Sequence, residues 1–238
     1  LFFGDPEIAG AQISPDGKFI AFIKPLDGTR NIWVKKTEEP FESAKPITAE
    51  TKRPIPAYFW SRDGKYVLFV QDQGGDENYN VFAVDPAAAP AAGAKVPAAR
   101  NLTEAKGARA IIQRVSKKDP DLMFVGLNDR DAAWHDLYRV KISTGERTLV
   151  RKNVDRIAGW TFDESDRLRL VTRTTDKGDT EILSADGDAL KVVYTCDVFD
   201  TCAPVRFHKD GKRAYMITNK DTDLVGLVLF DPETGATE

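Results

Sequence analysis

The side chains best able to do chemistry cluster in one short stretch, QDQGGDENYN, residues 71–80. Asp72, Asp76, Glu77 and Asn78 bring hard oxygen donors close together, the ligand type that Ca²⁺ takes. Their spacing departs from the D-x-[DN]-x-[DN]-G pattern of a calcium loop. A Gly-Gly turn with solvated carboxylates accounts for the same residues, so no metal and no cofactor is assigned. Asp76 and Glu77, with Asn78 beside them, remain candidates for holding a cationic group such as a peptide amino terminus.

Other catalytic signals are sparse. The chain has no G-x-S-x-G elbow, H-E-x-x-H, P-loop or G-x-G-x-x-G. Its two histidines, His135 and His208, fall in different segments; His208 stands where similar segments carry Ser14 and Ser61, which points to a turn residue. A Ser-His-Asp triad meets only in space and is not excluded by chain order, but no catalytic residue is proposed. The two cysteines, Cys196 and Cys202, are separated by five residues in VVYTCDVFDTCAPVRF. A link that short can bring the Cα atoms within the ~4.4–6.8 Å of a disulfide. Two reduced thiols are the alternative, and two ligands are too few for a structural zinc.

The elements around these residues repeat. ISPDGKFIAFI (13–23) returns as WSRDGKYVLFV (60–70) and, with decay, as VSKKDPDLMFV, FDESDRLRLV and FHKDGKRAYMI. With Phe22, Phe69, Phe124, Leu170 and Met216 as equivalents, the steps are 69−22 = 47, 124−69 = 55, 170−124 = 46 and 216−170 = 46. The long step contains the Ala/Pro/Gly run DPAAAPAAGAKVPAAR (85–100), which reads as a loop insertion. Each repeat reads as strand, Asp-Gly turn, strand, polar loop, third strand (NIWVKK, NVFAVD, DLYRVKI, TEILSAD, LVGLVLFD). A weaker fourth follows in KPIT, ARNLT, ERTLVRK and LKVVY. Val, Ile, Phe, Tyr and Leu in short alternating runs favour strands, and Gly serves the hairpin turn through positive φ. A period of roughly 40–50 residues with four strands in each is that of a β-propeller; a β-sandwich with chance similarity among its hairpins is the competing fold. The blades are expected at about 8–50, 55–105, 109–152, 156–195 and 203–238.

In a propeller the loops between second and third strands share one face. Here they carry residues 71–80 and also Asp129 and Asp131, Asp176 and Asp179, and Asp221 and Asp223, so an acidic rim is expected. Acidic loops also serve solubility.

With 238 residues, 42% hydrophobic and 30% charged at net charge −3, the composition is that of one globular unit with ample core. It offers no basic stripe for nucleic acid and no apolar run near the ~20 residues of a membrane span. The opening LFFGDPEIAG is too short and wrongly flanked for a signal peptide. The fifth repeat stops where its fourth strand should begin, and an open outer edge invites pairing; the chain therefore reads as part of a longer one, with a complete five-bladed ring as the alternative.

The phrases DPEIAGAQISPDGKFIAFI, NIWVKK, WSRDGKYVLFVQDQGGDENYNVFAVD and NLT resemble the N-terminal propeller of the prolyl oligopeptidase family, nearest its acylaminoacyl-peptidase and dipeptidyl-peptidase-like bacterial branch. The likeness covers nearly the whole chain and is strongest from Asp5 to Asp85. It implies a ring that usually has seven blades, of which five are legible, followed by a C-terminal α/β-hydrolase domain that carries the Ser-Asp-His triad and is missing here. It implies a non-catalytic role: admitting short peptides to that hydrolase and excluding folded proteins. Paired acids hold the substrate amine in dipeptidyl peptidases; Asp76 and Glu77 are the nearest pair here, without aligning to that motif. Relatives are often exported, which with the cysteines suggests a periplasmic or secreted protein, a cytoplasmic one being the alternative. A stand-alone TolB-like propeller that binds protein partners in the bacterial envelope is the competing function.

Overall fold

The computed structural model describes residues 6–187 and 189–238, and residues 1–5, half of the stretch weighed as a leader and including the Asp5 that opens the resemblance, lie outside them. The fold is all-β, with one 3₁₀ turn at Phe41–Ser43 and no α-helix among the described residues. Among the described residues, nineteen strands form five antiparallel sheets of β-propeller type, four with four strands and the last with three.

Sheet one is β1 (Ala9–Ile13), β2 (Phe19–Leu26), β3 (Thr29–Lys36) and β4 (Lys45–Pro46); sheet two is β5 (Tyr58–Trp60), β6 (Val67–Gln71), β7 (Asn80–Val84) and β8 (Ala99–Asn101). Sheet three is β9 (Ala110–Val115), β10 (Leu122–Asp131), β11 (Trp134–Lys141) and β12 (Arg147–Arg151). Sheet four is β13 (Ile157–Phe162), β14 (Leu168–Thr174), β15 (Thr180–Ser184) and β16 (Lys191–Cys196); sheet five is β17 (Cys202–Phe207), β18 (Ala214–Thr218) and β19 (Gly226–Phe230). Phe230 bridges Thr237, so the residues after β19 begin to pair along its outer edge. Every sheet is a meander in chain order, as the repeated phrase requires.

The turn between first and second strands shows why the phrase repeats. Ser14 Oγ donates to Asp16 Oδ1 (2.7 Å) and accepts from the Phe19 amide (2.9 Å), while Asp16 Oδ1 also accepts from the Lys18 amide (3.2 Å). Ser61, Asp63, Lys65 and Tyr66 repeat the set at 2.7, 3.2 and 2.9 Å. Gly17 and Gly64 sit at φ +73° and +72°, where glycine carries no Cβ penalty. In the fourth repeat Asp163 replaces the serine, its carboxylate accepting from the Ser165 and Arg167 amides, and Asp166 takes the left-handed position at φ +60°. The fifth uses His208, whose Nδ1 accepts from the Asp210 amide at 3.3 Å. His208 is thus a turn residue, stacked edge-on against Tyr215.

The chain divides into two compact units. The first, up to residue 115 with 119–130 and 137–150, holds sheets one and two and most of sheet three. Two cores lie among its described residues. Ala21, Ile32 and Val34 meet Tyr58, Trp60, Val67, Phe69 and Val84, while Leu68, Val81 and Ala83 meet Ala110, Met123, Val125, Leu127 and Val140. Alternate side chains of sheet two thereby face opposite neighbours, the period-two rule of a strand. In the second unit, Leu170 and Ile182 pack with Cys202, Phe207, Ala214, Met216 and Phe230. The Ala/Pro insertion is a run of turns whose Pro86–Pro90 and Pro97 close a slot of about 480 Å³ over Phe19, Val34, Pro46 and Ile47 of sheet one.

Candidate functional site

The acidic stretch of residues 71–80 links β6 to β7, and its conformation follows from three local devices. Asp72 is buried, accepts the Glu77 amide at 3.2 Å and pairs with Arg53 Nη1 at 3.4 Å. Gly74 and Gly75 adopt φ +69° and +98°, and a Cβ on Gly75 would stand 2.5 Å from Arg53 Nη1, so a larger residue there would make the guanidinium shift. Asp76 Oδ1 accepts the Gln73 and Asn78 amides, each at 3.1 Å, and its Oδ2 accepts Asn78 Nδ2 at 3.2 Å. These bonds, the Asn78 amide foremost, hold the Asp76 carboxyl below the usual carboxylate range.

The three candidates therefore differ in role. Asp76 is exposed, with its carboxylate engaged by its own loop; Asn78 is half-buried and braces Asp76; Glu77 is exposed at φ +58°. Glu77 is the acid most available to a ligand. Beside the loop lies a cleft of about 480 Å³ lined by Glu50, Lys52, Arg53, Asp72, Asn80 and Phe82 among others. Its charges are mixed, which suits a zwitterionic ligand better than a simple cation. Arg109 stacks over Tyr79, next to the end of the loop, at 5.6 Å from the ring centre.

What anchors this loop was not found from the sequence. Asn80, buried at the start of β7, accepts at Oδ1 from Thr103 Oγ1 (2.8 Å) and the Ala105 amide (2.9 Å), and donates from Nδ2 to the Asn78 and Ala105 carbonyls (3.2 and 3.1 Å). Asn31 repeats this brace one sheet earlier, accepting from Thr48 Oγ1 (2.9 Å) and the Glu50 amide (2.7 Å) and donating to the Thr29 and Glu50 carbonyls. The signal was present as Asn opening NIWVKK and NVFAVD, paired with Thr closing PIT and NLT. A buried amide fully satisfied this way ties the start of the third strand to the segment that follows the fourth.

The other acidic loops are less uniformly negative than the residue types imply. Asp176 is paired with Arg156 at 2.5 Å, and the Asp131 carboxylate caps the Ala133 amide at 3.0 Å. Among the described residues, no three His, Cys, Asp or Glu side chains converge as a metal site. His135 lies on β11 and His208 in the first turn of sheet five. A disulfide joins Cys196, the last residue of β16, to Cys202, the first of β17, with 6.2 Å between Cα atoms.

The chain matches no family model. It is 34% identical over 236 residues to dipeptidyl aminopeptidase BIII of Pseudoxanthomonas mexicana, covering 98% of this chain and 33% of that protein. It is 27% identical over 248 residues to dipeptidyl peptidase family member 6 of Caenorhabditis elegans, again 98% against 33%. Solved structures agree in fold: one from a study of two prolyl endopeptidases (TM-score 0.63, 15% identity, 97% of this chain and 34% of that one) and oligopeptidase B from Leishmania major (TM-score 0.60, 12% identity, 96% and 33%). The resemblance to the propellers of the prolyl oligopeptidase family is borne out. The chain spans about a third of the length of the curated relatives it matches. A putative TolB from Agrobacterium tumefaciens shares the fold at TM-score 0.53 and 16% identity, with 99% of this chain matching 81% of that one.

Proposed function

We propose that these residues are the non-catalytic propeller region of a longer serine peptidase of dipeptidyl-peptidase type, admitting short peptides to a C-terminal α/β-hydrolase domain. The observation that carries this is the 34% identity to a dipeptidyl aminopeptidase along almost the whole chain, confined to a third of that protein. The chain's own residues are in keeping with it, since they include no G-x-S-x-G elbow and His208 serves as a turn residue. In this reading Glu77 and the neighbouring mixed-charge cleft face peptide termini, and an exported protein keeps the Cys196–Cys202 bridge oxidised. The stand-alone interaction propeller is the second reading, favoured by the 81% coverage of a TolB-like chain.

The test compares the isolated chain with the full-length polypeptide on dipeptidyl chromogenic substrates and on a folded protein. The full-length polypeptide is expected to cleave the short substrates and spare the folded one, and the isolated chain to cleave neither. Hydrolysis by the isolated chain that a single substitution within it abolishes would overturn the non-catalytic role. Equal cleavage of folded and short substrates would overturn the gating role.

A further inference from the structure

The slot beneath the Ala/Pro insertion is built like a ligand cleft. Its floor is apolar: Val34 and Ile47 are 5% and 3% exposed, and Phe19 stacks on Trp60 with ring centres 6.2 Å apart. Its roof is Pro86, Pro90 and Pro97, with Ala87, Ala88 and Ala89 between the first two. The prolines stiffen the roof by fixing φ, and the alanines are too small to fill the space beneath. Its volume of about 480 Å³ is that of a small-molecule cleft, mostly apolar with a few placed polar groups. All of these residues belong to the first compact unit.

The charges around it are one-sided. Lys35, Lys36, Lys45 and Lys95 line the slot against a single acid, Glu39, in a chain whose net charge is −3. Lys36 is paired with Glu39 at 3.1 Å and Lys95 with Asp27 at 3.2 Å. Lys35 and Lys45 meet no carboxylate among the described residues. Lys35 is 8% exposed, and its ammonium donates to the Lys36 and Thr37 carbonyls at 2.6 and 3.1 Å. A buried cation with no counter-charge is costly. Lys45, exposed on β4, stands opposite Val34 in the β3–β4 register, which sets a second uncompensated ammonium beside the apolar floor.

We propose that the slot binds a small amphiphilic anion, an apolar chain ending in one carboxylate. The chain lies over Val34 and Ile47 beneath the insertion, and the carboxylate is drawn to Lys45 and Lys35. Charge complementarity selects this occupant. A neutral hydrocarbon would leave both ammoniums uncompensated, and a cationic amphiphile would be repelled by them. A free molecule fits better than a lipid held in a bilayer, because the apolar floor is roofed over by the insertion. The inference is independent of whether the full polypeptide is a peptidase.

The test is isothermal titration calorimetry of the full-length polypeptide with decanoate below its micellar concentration. A saturable site is expected, with decyltrimethylammonium bound about tenfold more weakly or worse. Lys45→Glu, which reverses the charge, and Ala88→Trp, which fills the slot from an exposed position, should each weaken decanoate by about tenfold or more. Lys45→Arg should keep the affinity within about twofold, and Lys177→Glu, which does not line the slot, should leave it unchanged. No saturable binding, equal affinity for the two amphiphiles, or an affinity that Lys45→Glu or Ala88→Trp leaves intact would overturn the proposal. So would binding to phosphatidylglycerol vesicles without binding to decanoate, which would make the lysines a membrane contact. Hydrolysis enters none of these measurements, so failure here is distinct from failure of the peptidase reading.

Discussion

Replacing Asn80 by Ala should be among the costliest single polar changes in the chain. The side chain is 5% exposed and makes four hydrogen bonds, two accepted and two donated, at 2.8–3.2 Å. A typical intramolecular bond contributes a net ~0.5–1.5 kcal/mol, but truncating one partner leaves buried groups unsatisfied at about 1–3 kcal/mol each. The Ala105 amide and carbonyl are the groups so left, while the Thr103 hydroxyl keeps its longer bond to Asn101 Oδ1, and the expected loss is about 3 kcal/mol. Thr103→Val removes the hydroxyl that bridges Asn80 Oδ1 and the Val81 amide and should cost about half as much, with a coupling of about 1 kcal/mol in the double variant because the two share a bond. Urea unfolding followed by the fluorescence of Trp33 and Trp60, in the same compact unit, reads these losses. A cost for Asn80→Ala below about 1 kcal/mol, or strictly additive variants, would refute the brace.

Gly64→Val should destabilise more than Gly17→Val: both residues sit near φ +70°, but a Cβ at Gly64 meets Asp16 Oδ1 at 3.2 Å while Gly17 has nothing within 4 Å. Equal melting temperatures for the two variants would contradict this. On acidification, stability should fall between about pH 4 and pH 2. The Asp16 carboxyl is lowered to about 2, first by Ser14 and then by the Lys18 amide, and Asp210 is lowered chiefly by the Lys212 and Arg213 amides. A depressed folded-state pKa stabilises above the unfolded value and is lost as pH falls through the folded one; Asp16→Asn should therefore flatten that part of a pH titration of the melting temperature. The denatured, unreduced chain should titrate no thiols, and Cys196→Ala with Cys202→Ala should cost about 2 kcal/mol for so short a loop; two free thiols would remove the bridge.

The hairpins were legible because two signals reinforce each other: period-two apolar runs and an Asp-Gly turn whose serine accepts an amide at the entry to the following strand while its aspartate holds the serine within the turn. Where the phrase decayed, the geometry survived, because Asp163 and His208 offer the turn a side-chain acceptor as Ser14 does. The acidic loop was legible as composition but not as arrangement. Asp72 and Asp76 read alike in sequence, yet one is buried against Arg53, nineteen residues earlier, and the other caps its own loop. The Asn80–Thr103 brace joins residues 23 apart in the chain through side chains common in loops, so no local pattern announces it. Only its repetition at Asn31 and Thr48 could have done so.

The central claim, that these residues are the non-catalytic part of a serine peptidase, is tested most directly with a fluorophosphonate probe on the full-length polypeptide, followed by peptide mapping. The account predicts a labelled serine on a polypeptide about three times as long as this chain, as in the relatives it matches, with every peptide from residues 1–238 unmodified. A polypeptide that carries no label, or whose label falls within these 238 residues, would contradict it.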